Sequence, residues 1–463
     1  MNRFESWSFV RIAFLLCLAT ATASAQTVTT LLTFDLTNGG EPFAGLVQGF
    51  DGNLYGTTAV GGTSEKCSQG CGTIFKITSA GKLTTLHSFD DADGSGPENG
   101  LIQGSDGNFY GTAYLGGANG DGSVFKITSS GKFTLLHSFD HTDGRNPASA
   151  LVQGTDGNFY GTTNFGGVND EGSVFKITSA GNLTTLHSFD GTDGFIPNGT
   201  LMQATNGDLY GTTLEGGGSK TCAGGCGTIF KITLAGVFTK EISFDQTDGS
   251  SPLAGLIQAK DGNFYGTTNF GGSGSGCSGG CGTVFKMTSA AKLTTLYSFD
   301  EKQGAYGPYG GLVPGTDGNL YGTTQDNLVF KITTKGALTT LFTFDYTDGF
   351  EPLDGLMQST GGLFYGTTYQ GADGYGTVFS LSMGLGAFVE TNPTSGKVGA
   401  AVTILGTKLT GATKVLFNGK SAKFKVVSNS EITTTVPAGA ATGILKVTTP
   451  SGTVDSYVDF RVP

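Results

Sequence analysis

Five loops of this chain place two aspartates three residues apart ahead of a glycine and a proline. They read "DDADGSGP" (90–97), "DHTDGRNP" (140–147), "DGTDGFIP" (190–197), "DQTDGSSP" (245–252) and "DYTDGFEP" (345–352). Carboxylates at that spacing suit a hard cation such as Ca²⁺, and acidic loops also supply the carboxylate pair that glycoside hydrolysis needs. The order D-x-D-x-D-G of a helix-flanked Ca²⁺ loop is absent, however. Asp ahead of Gly and Pro is turn chemistry, in which the carboxylate accepts nearby backbone N–H groups. The turn reading is preferred, no cofactor is expected, and Ca²⁺ is the alternative.

Other chemistry-bearing residues are few. The histidines are His87, His137, His141 and His187. Three of them occupy one repeat position, where other copies carry Ile242 and Tyr297, so they read as strand surface. Neither HExxH nor GxSxG occurs, and no catalytic residue is assigned. Six cysteines form the C-x-x-x-C pairs Cys67/Cys71, Cys222/Cys226 and Cys277/Cys281. Zinc usually asks for C-x-x-C spacing or interspersed His; close pairs in an exported chain favour local disulfides. Their expected purpose is to stiffen long glycine-rich loops.

Export is expected from residues 1–25. Arg3 and Arg11 precede the apolar run "IAFLLCLATA", and "ASA" at 23–25 offers small residues for cleavage before Gln26. A secreted, periplasmic or cell-surface location follows, and no later apolar stretch is long enough to span a membrane.

The elements that carry these loops repeat. Tyr55, Tyr110, Tyr160, Tyr210, Tyr265, Tyr321 and Tyr365 mark seven copies, spaced 44 to 56 residues apart. In the second copy "GLIQG" and "FYGTA" flank the tight turn "SDGN", where Gly and Asn can both take positive φ. "SVFKIT" and "FTLLHSFD" then flank "SSGK". Four strands per period of about fifty residues predict a β-propeller. The seventh copy lacks its outer strand after "GTVFSLS", and "TVTTLLTFD" (27–35) matches that missing run. The expected fold is therefore all-β: a seven-bladed propeller over 26–385, closed by its N-terminal strand, which leaves no open sheet edge.

Through "DGNFYGTT", "GTVFKIT" and "LTTLHSFD", residues 27–383 resemble the GloVer tandem repeat of exported bacterial proteins. The resemblance implies export and a propeller-like repeat, and brings no activity. Residues 388–463, with "NPTSGKVGAAV", "FNG" and "VSNSEITTTVP", resemble the IPT/TIG domain. That likeness implies an immunoglobulin-like β-sandwich, of a kind seen on surface receptors and beside polysaccharide-active enzymes.

The formal charge of the chain is −11. The C-terminal segment carries a net +4 and the signal +1, which leaves −16 on the propeller. Such a body repels nucleic-acid phosphates.

Function is sought where the copies disagree. Two connections per blade are tight and monotonous, and the other two, on the opposite face, are long and varied. Candidate ligand residues are those that break the pattern there: Gln303, Tyr306 and Tyr309 in the altered loop entering the sixth copy, and Asp326 and Asn327 in its shortened "QDN" loop. Tyr369, Asp373 and Tyr375 in the seventh copy join them, with the singular charges Glu351 and Arg145. The expected activity is binding or scaffolding, with the loop-rich face meeting a protein or glycan. A secreted polysaccharide-active hydrolase or lyase using loop carboxylates is the alternative.

Overall fold

The protein is described by a computed structural model over residues 26–301, 306–371 and 374–463. The expected signal peptide, Gln303 and Asp373 lie outside the described residues. Among these residues seven four-stranded antiparallel sheets follow the repeat. In the second, Ile102–Gln103, Phe109–Ala113, Ser123–Ile127 and Phe133–Ser138 run in order from the axis outward. The last sheet takes its outermost strand from the other end of the chain. Thr27–Thr33 pairs antiparallel with Thr377–Ser382, with Thr27 opposite Ser382 and Thr33 opposite Thr377.

Local chemistry explains the repeated phrase. Gly107 takes φ +82° in the turn, which only glycine tolerates cheaply. Asn108, expected to share that conformation, does not; its Nδ2 donates to Asp106 Oδ2 at 2.7 Å. The Tyr110 hydroxyl donates to the same carboxylate at 2.8 Å. Its ring stacks on Phe159 of the next blade, with centroids 3.9 Å apart. Gly111 then has to be small, since a Cβ there would lie 2.6 Å from the Phe125 ring. Each copy thus packs its tyrosine against its neighbour, and the hydrophobic core is a ring of inter-blade clusters rather than one centre.

A second device links blades near the axis. The innermost-strand glutamine of one blade accepts a turn N–H from the blade before it: Gln103 from Phe50 at 2.9 Å, Gln153 from Ser105 at 2.9 Å, Gln203 from Thr155 at 3.1 Å and Gln258 from Thr205 at 2.8 Å. Gln358 takes Thr316 N at 3.0 Å, and Gln48 takes Thr360 N at 2.9 Å across the join between last and first blades. The sixth blade has Pro314 at this position, whose side chain offers no acceptor for such a latch.

The C-terminal segment is a two-sheet sandwich. One sheet holds Glu390–Asn392, Ala401–Leu405, Glu431–Thr435 and Phe424–Val426; the other holds Lys420–Ser421, Lys414–Phe417, Leu445–Thr449 and Gly452–Asp455. Val402, Ile404, Val415, Phe417, Ile432 and Phe460 are buried between them. This sandwich sits on the tight-turn face. Ser430 Oγ donates to Phe50 O at 2.7 Å, Asn392 Nδ2 to Gln103 O at 2.8 Å, and Arg461 Nη1 to Ala204 O and Thr205 O at 3.1 and 2.9 Å. Lys260 Nζ lies 4.2 Å from the Tyr457 ring centroid. The loop-rich face is left open.

Candidate functional site

The acidic loops are turns. Asp140 Oδ1 accepts from the Thr142 hydroxyl at 2.7 Å and from the amides of Thr142 and Asp143, while Asp140 N donates to Asp143 Oδ1 at 3.2 Å. Asp190 and Asp245 repeat the arrangement. Hydrogen bonding, first that from the threonine hydroxyl, holds Asp140, Asp190 and Asp245 below the ordinary carboxylate range. The second aspartate meets a histidine: His87 to Asp93 at 2.8 Å, His137 to Asp143 at 2.7 Å, and His187 to Asp193 at 2.8 Å. The His87 and His187 rings stack on Phe133 and Phe238 of the following blades at 3.9 and 3.8 Å. These histidines are seam residues and not bare strand surface. Among the described residues no group of three His, Cys, Asp or Glu is placed to hold a metal.

The same turns aim the residue that follows the proline. Gly72, Gly122, Gly172, Gly227 and Gly376 each precede a third strand at positive φ. A Cβ on any of them would lie 2.5 to 2.7 Å from the Cδ of the next blade's Pro97, Pro147, Pro197, Pro252 or Pro42. The proline is thereby wedged, and the residue after it projects to the axis. In the seven blades that residue is Phe43, Glu98, Ala148, Asn198, Leu253, Tyr309 and Leu353, and all seven line one cavity of about 630 Å³. One constant position of the scaffold carries phenylalanine, glutamate, alanine, asparagine, leucine and tyrosine. Asn99, Tyr114, Asn164, Thr200 and Asp354 complete the polar part of the wall.

The wall is acidic and aromatic. Burial, and then the Glu41 carboxylate, push Glu98 up to about 7. Tyr309 is raised by burial and then by Glu98, and so is Tyr114. Tyr369 stacks against Phe43, with centroids 4.7 Å apart at 47°. Its hydroxyl is pushed up to about 12 by burial first and by Glu41, Glu351 and Glu98 after it. Asn164 is 7% exposed, and its Oδ1 has no hydrogen-bond partner among the described residues. Asp354 is differently employed, accepting the Gly45 and Gly355 amides at 2.5 and 2.6 Å and so tying the last blade to the first; burial raises its carboxyl nonetheless.

The expected candidates divide. Tyr309 lines the funnel and Tyr369 stands beside its Phe43 wall. Tyr306, 44% exposed, donates its amide to Asp326 Oδ2 at 2.9 Å on the rim. Asn327 Oδ1 accepts the Glu351 amide at 2.7 Å, and Tyr369 donates its amide to Glu351 O at 2.9 Å. Burial, then Asp326, raises the Glu351 carboxyl. Tyr375 O accepts the Glu41 amide at 2.9 Å, while its ring packs beside Phe34 and Leu46. Arg145 lies over the Phe165 ring at 4.9 Å, with Nε 3.4 Å from Asp170. Gln303 and Asp373 are not described. Phe43, Glu98, Tyr114, Asn164 and Asn198 escaped sequence reasoning, although for Phe43, Glu98 and Asn198 the signal was there: a variable position after a proline kept in every copy.

The three expected cysteine pairs, Cys67–Cys71, Cys222–Cys226 and Cys277–Cys281, are disulfides with sulfurs about 2 Å apart. Stiffening of the loop is only half of their role. Cys71, Cys226 and Cys281 are at most 1% exposed and belong to the inter-blade clusters, because a bridged sulfur is apolar and fills the seam as a small hydrophobe would. Cys281 packs in this way with Val284, Phe299 and Leu328. Cys71 O also accepts the Gly96 amide and Cys226 O the Ser251 amide, both at 3.0 Å. Two of the staples therefore anchor the next blade's loop just ahead of its wall residue. Cys281 departs from them: among the described residues its carbonyl takes no amide from the loop entering the sixth blade. That loop is the altered one, and its Tyr306 amide turns to Asp326 instead.

No helix among the described residues is long and apolar enough to cross a membrane. A comparison with curated proteins gave no match. Among solved structures, a fungal alcohol oxidase of the AA5 family in complex with copper is similar at TM-score 0.53 and 14% identity, over 94% of this chain and 98% of that one. That likeness shows the fold alone. A luciferin-regenerating enzyme aligns at TM-score 0.40 and 15% identity over 60% of this chain and 88% of its own, too distantly to bear on an argument. Residues 388–462 match the IPT/TIG domain. Residues 18–223, 202–379 and 275–417 match the Gloeobacter/Verrucomicrobia repeat, and the chain belongs to that family.

Proposed function

We propose that this is an exported binding protein that takes its ligand, part of a protein or glycan, into the axial funnel of the loop-rich face. The carrying observation is the ring of seven wall residues. A repeat that keeps Pro, Gly, Tyr and Phe in place has diversified a position that lines the cavity in all seven blades. A funnel of about 630 Å³ with a few convergent polar groups has the dimensions of a small-molecule or chain-end site. The sandwich on the far face leaves this mouth free, and three disulfides favour an oxidising, extracytoplasmic setting. The test is a glycan and peptide array probed with mature protein and with Tyr309→Ala. Binding lost in the variant supports the funnel, and binding that survives unchanged sends the ligand elsewhere.

A second reading, a secreted polysaccharide-active hydrolase or lyase, is favoured by Glu98 alone, since a carboxylic acid held near neutrality suits a general acid. Turnover of a polysaccharide that disappears in Glu98→Gln would establish it.

A further inference from the structure

We infer that the funnel recognises an alkylammonium group, as carried by an amino sugar or a lysine side chain. This rests on the funnel being the ligand site and specifies what enters it. The chemistry of the wall is one-sided. Among the described residues Glu98 has no hydrogen-bond partner for its carboxylate, and no lysine, arginine or histidine lines the cavity to neutralise it. Glu41 lies close enough to raise it further. Asn164, more than nine-tenths buried in the same wall, has an amide oxygen with no donor. The site therefore presents unfilled acceptors with no cation in its lining, Arg145 near Tyr114 being paired with Asp170, and an ammonium group brings three donors and no acceptor.

Aromatic rings share the wall with these acceptors and with aliphatic residues such as Leu253 and Leu353. Phe43, Tyr114 and Tyr309 line the funnel, with Tyr369 packed on Phe43. Ring faces attract a cation within about 6 Å of their centroids, more strongly when the site is desolvated. A neutral hydroxylated ligand could donate to Glu98 but would leave its charge uncompensated. An anion would be repelled by Glu41, Glu98 and Glu351 together. Carboxylate, orphan amide oxygen and aromatic faces converge on one class of group, and the −16 charge of the propeller draws the same class from a distance.

The experiment compares matched probes by isothermal titration calorimetry, the lysine pair at pH 8 and the glucosamine pair near pH 6.5, because glucosamine amines are largely neutral at pH 8. Glucosamine tetramer is set against its N-acetylated form, and a lysine-containing hexapeptide against its Nε-acetylated form. The charged member of at least one pair should bind about tenfold or more tightly than its acetylated partner, a difference that Glu98→Gln and, independently, Phe43→Ala remove. Whichever pair shows it identifies the source as glycan or peptide. Melting curves of both variants verify folding. Equal affinity of charged and acetylated probes, or no binding of either charged probe, overturns the ammonium inference. Equal affinities that Tyr309→Ala abolishes would do so while leaving the funnel as the ligand site; binding indifferent to Tyr309→Ala would remove the funnel itself.

Discussion

Asn327 Oδ1 stands 2.7 Å from the Glu351 amide, where other blades offer a backbone carbonyl from a longer loop. Cys71 O, Asp121 O, Cys226 O and Tyr375 O do the same work for Gly96, Asn146, Ser251 and Glu41. The shortened "QDN" loop of the sixth blade has thus replaced a lost carbonyl with a side chain. The pattern-breaking asparagine is a repair to the scaffold. Asn327→Ala should cost about 1 to 2 kcal/mol of unfolding free energy, the scale of one hydrogen bond whose partner is left partly buried. Urea denaturation checks this, and a midpoint equal to wild type would show the contact to be incidental.

Removing a staple should have a directional effect. Each disulfide closes a very short loop, so Cys67→Ser with Cys71→Ser should lose about 2 kcal/mol in the chain-entropy account. Because Cys71 O holds Gly96, two residues before Glu98, this variant should also weaken ligand binding. The Cys222/Cys226 pair holds the loop that leads to Leu253, so its removal should lower stability with a smaller effect on binding. Parallel titration of the two double variants tests the order.

The His–Asp seam can be transplanted. Asp248 has Ile242 where other blades carry histidine, and burial, with Asp245 beside it, leaves its carboxyl raised to about 6. A raised carboxyl binds its proton more tightly folded than unfolded, so the fold loses stability as pH climbs from about 4 through 6. Ile242→His supplies a partner and should recover that loss, with a higher melting temperature at pH 7 and little change at pH 4. An equal gain at both values would point to packing instead.

Glu390 lines a cavity of about 690 Å³ between the tight-turn face and the sandwich, where Arg461 also lies. Its surface is exposed within that cavity, and desolvation by the surrounding walls pushes the carboxyl up to about 7. The sign is again that of a raised acid: inter-domain stability is lost as pH rises from about 4.5 through 7. Glu390→Gln should therefore raise the melting transition at pH 8 and leave it unchanged near pH 4. Calorimetry at the two values decides.

Glu98 ionises over the same range, with an opposite consequence for binding. The lysine probe, which stays protonated throughout, favours the charged carboxylate, so its affinity should rise between pH 6 and 8 and become flat in Glu98→Gln. A slope that persists in the variant would assign the titration to another group.

Much of the architecture is local and therefore legible in the chain. Turn glycines such as Gly107, the strand alternation, and the aromatic at Tyr110 all act within one repeat or on its immediate neighbour. The match between residues 27–35 and the missing outer strand is likewise a matter of pattern. So is the pairing of Cys277 with Cys281, although the burial of Cys281 against the sixth blade depends on a neighbour that its own loop does not reveal. The site was harder to read because insertions and deletions attract attention, and they lead to the rim, where Tyr306, Asp326 and Asn327 stabilise loops. Phe43, Glu98 and Asn198 differ without changing the loop framework around them, whereas Tyr309 was legible because its loop is altered. The docking of the sandwich is invisible to pattern altogether, since Ser430 meets Phe50 across 380 residues and the motifs that hold them mark each domain without pairing the two.

The strand Thr27–Thr33 has a history that its final position conceals. Its partner, Thr377–Ser382, is about 350 residues further along and leaves the ribosome long after it. Through that interval the first strand emerges with both edges bare, while six sheets can assemble from their own neighbours. Non-local pairing of this kind is slow, and unpaired edges are prone to adventitious partners. The barrier to maturation is thus concentrated in a single clasping event, and the chain is at its most vulnerable immediately before its two ends meet.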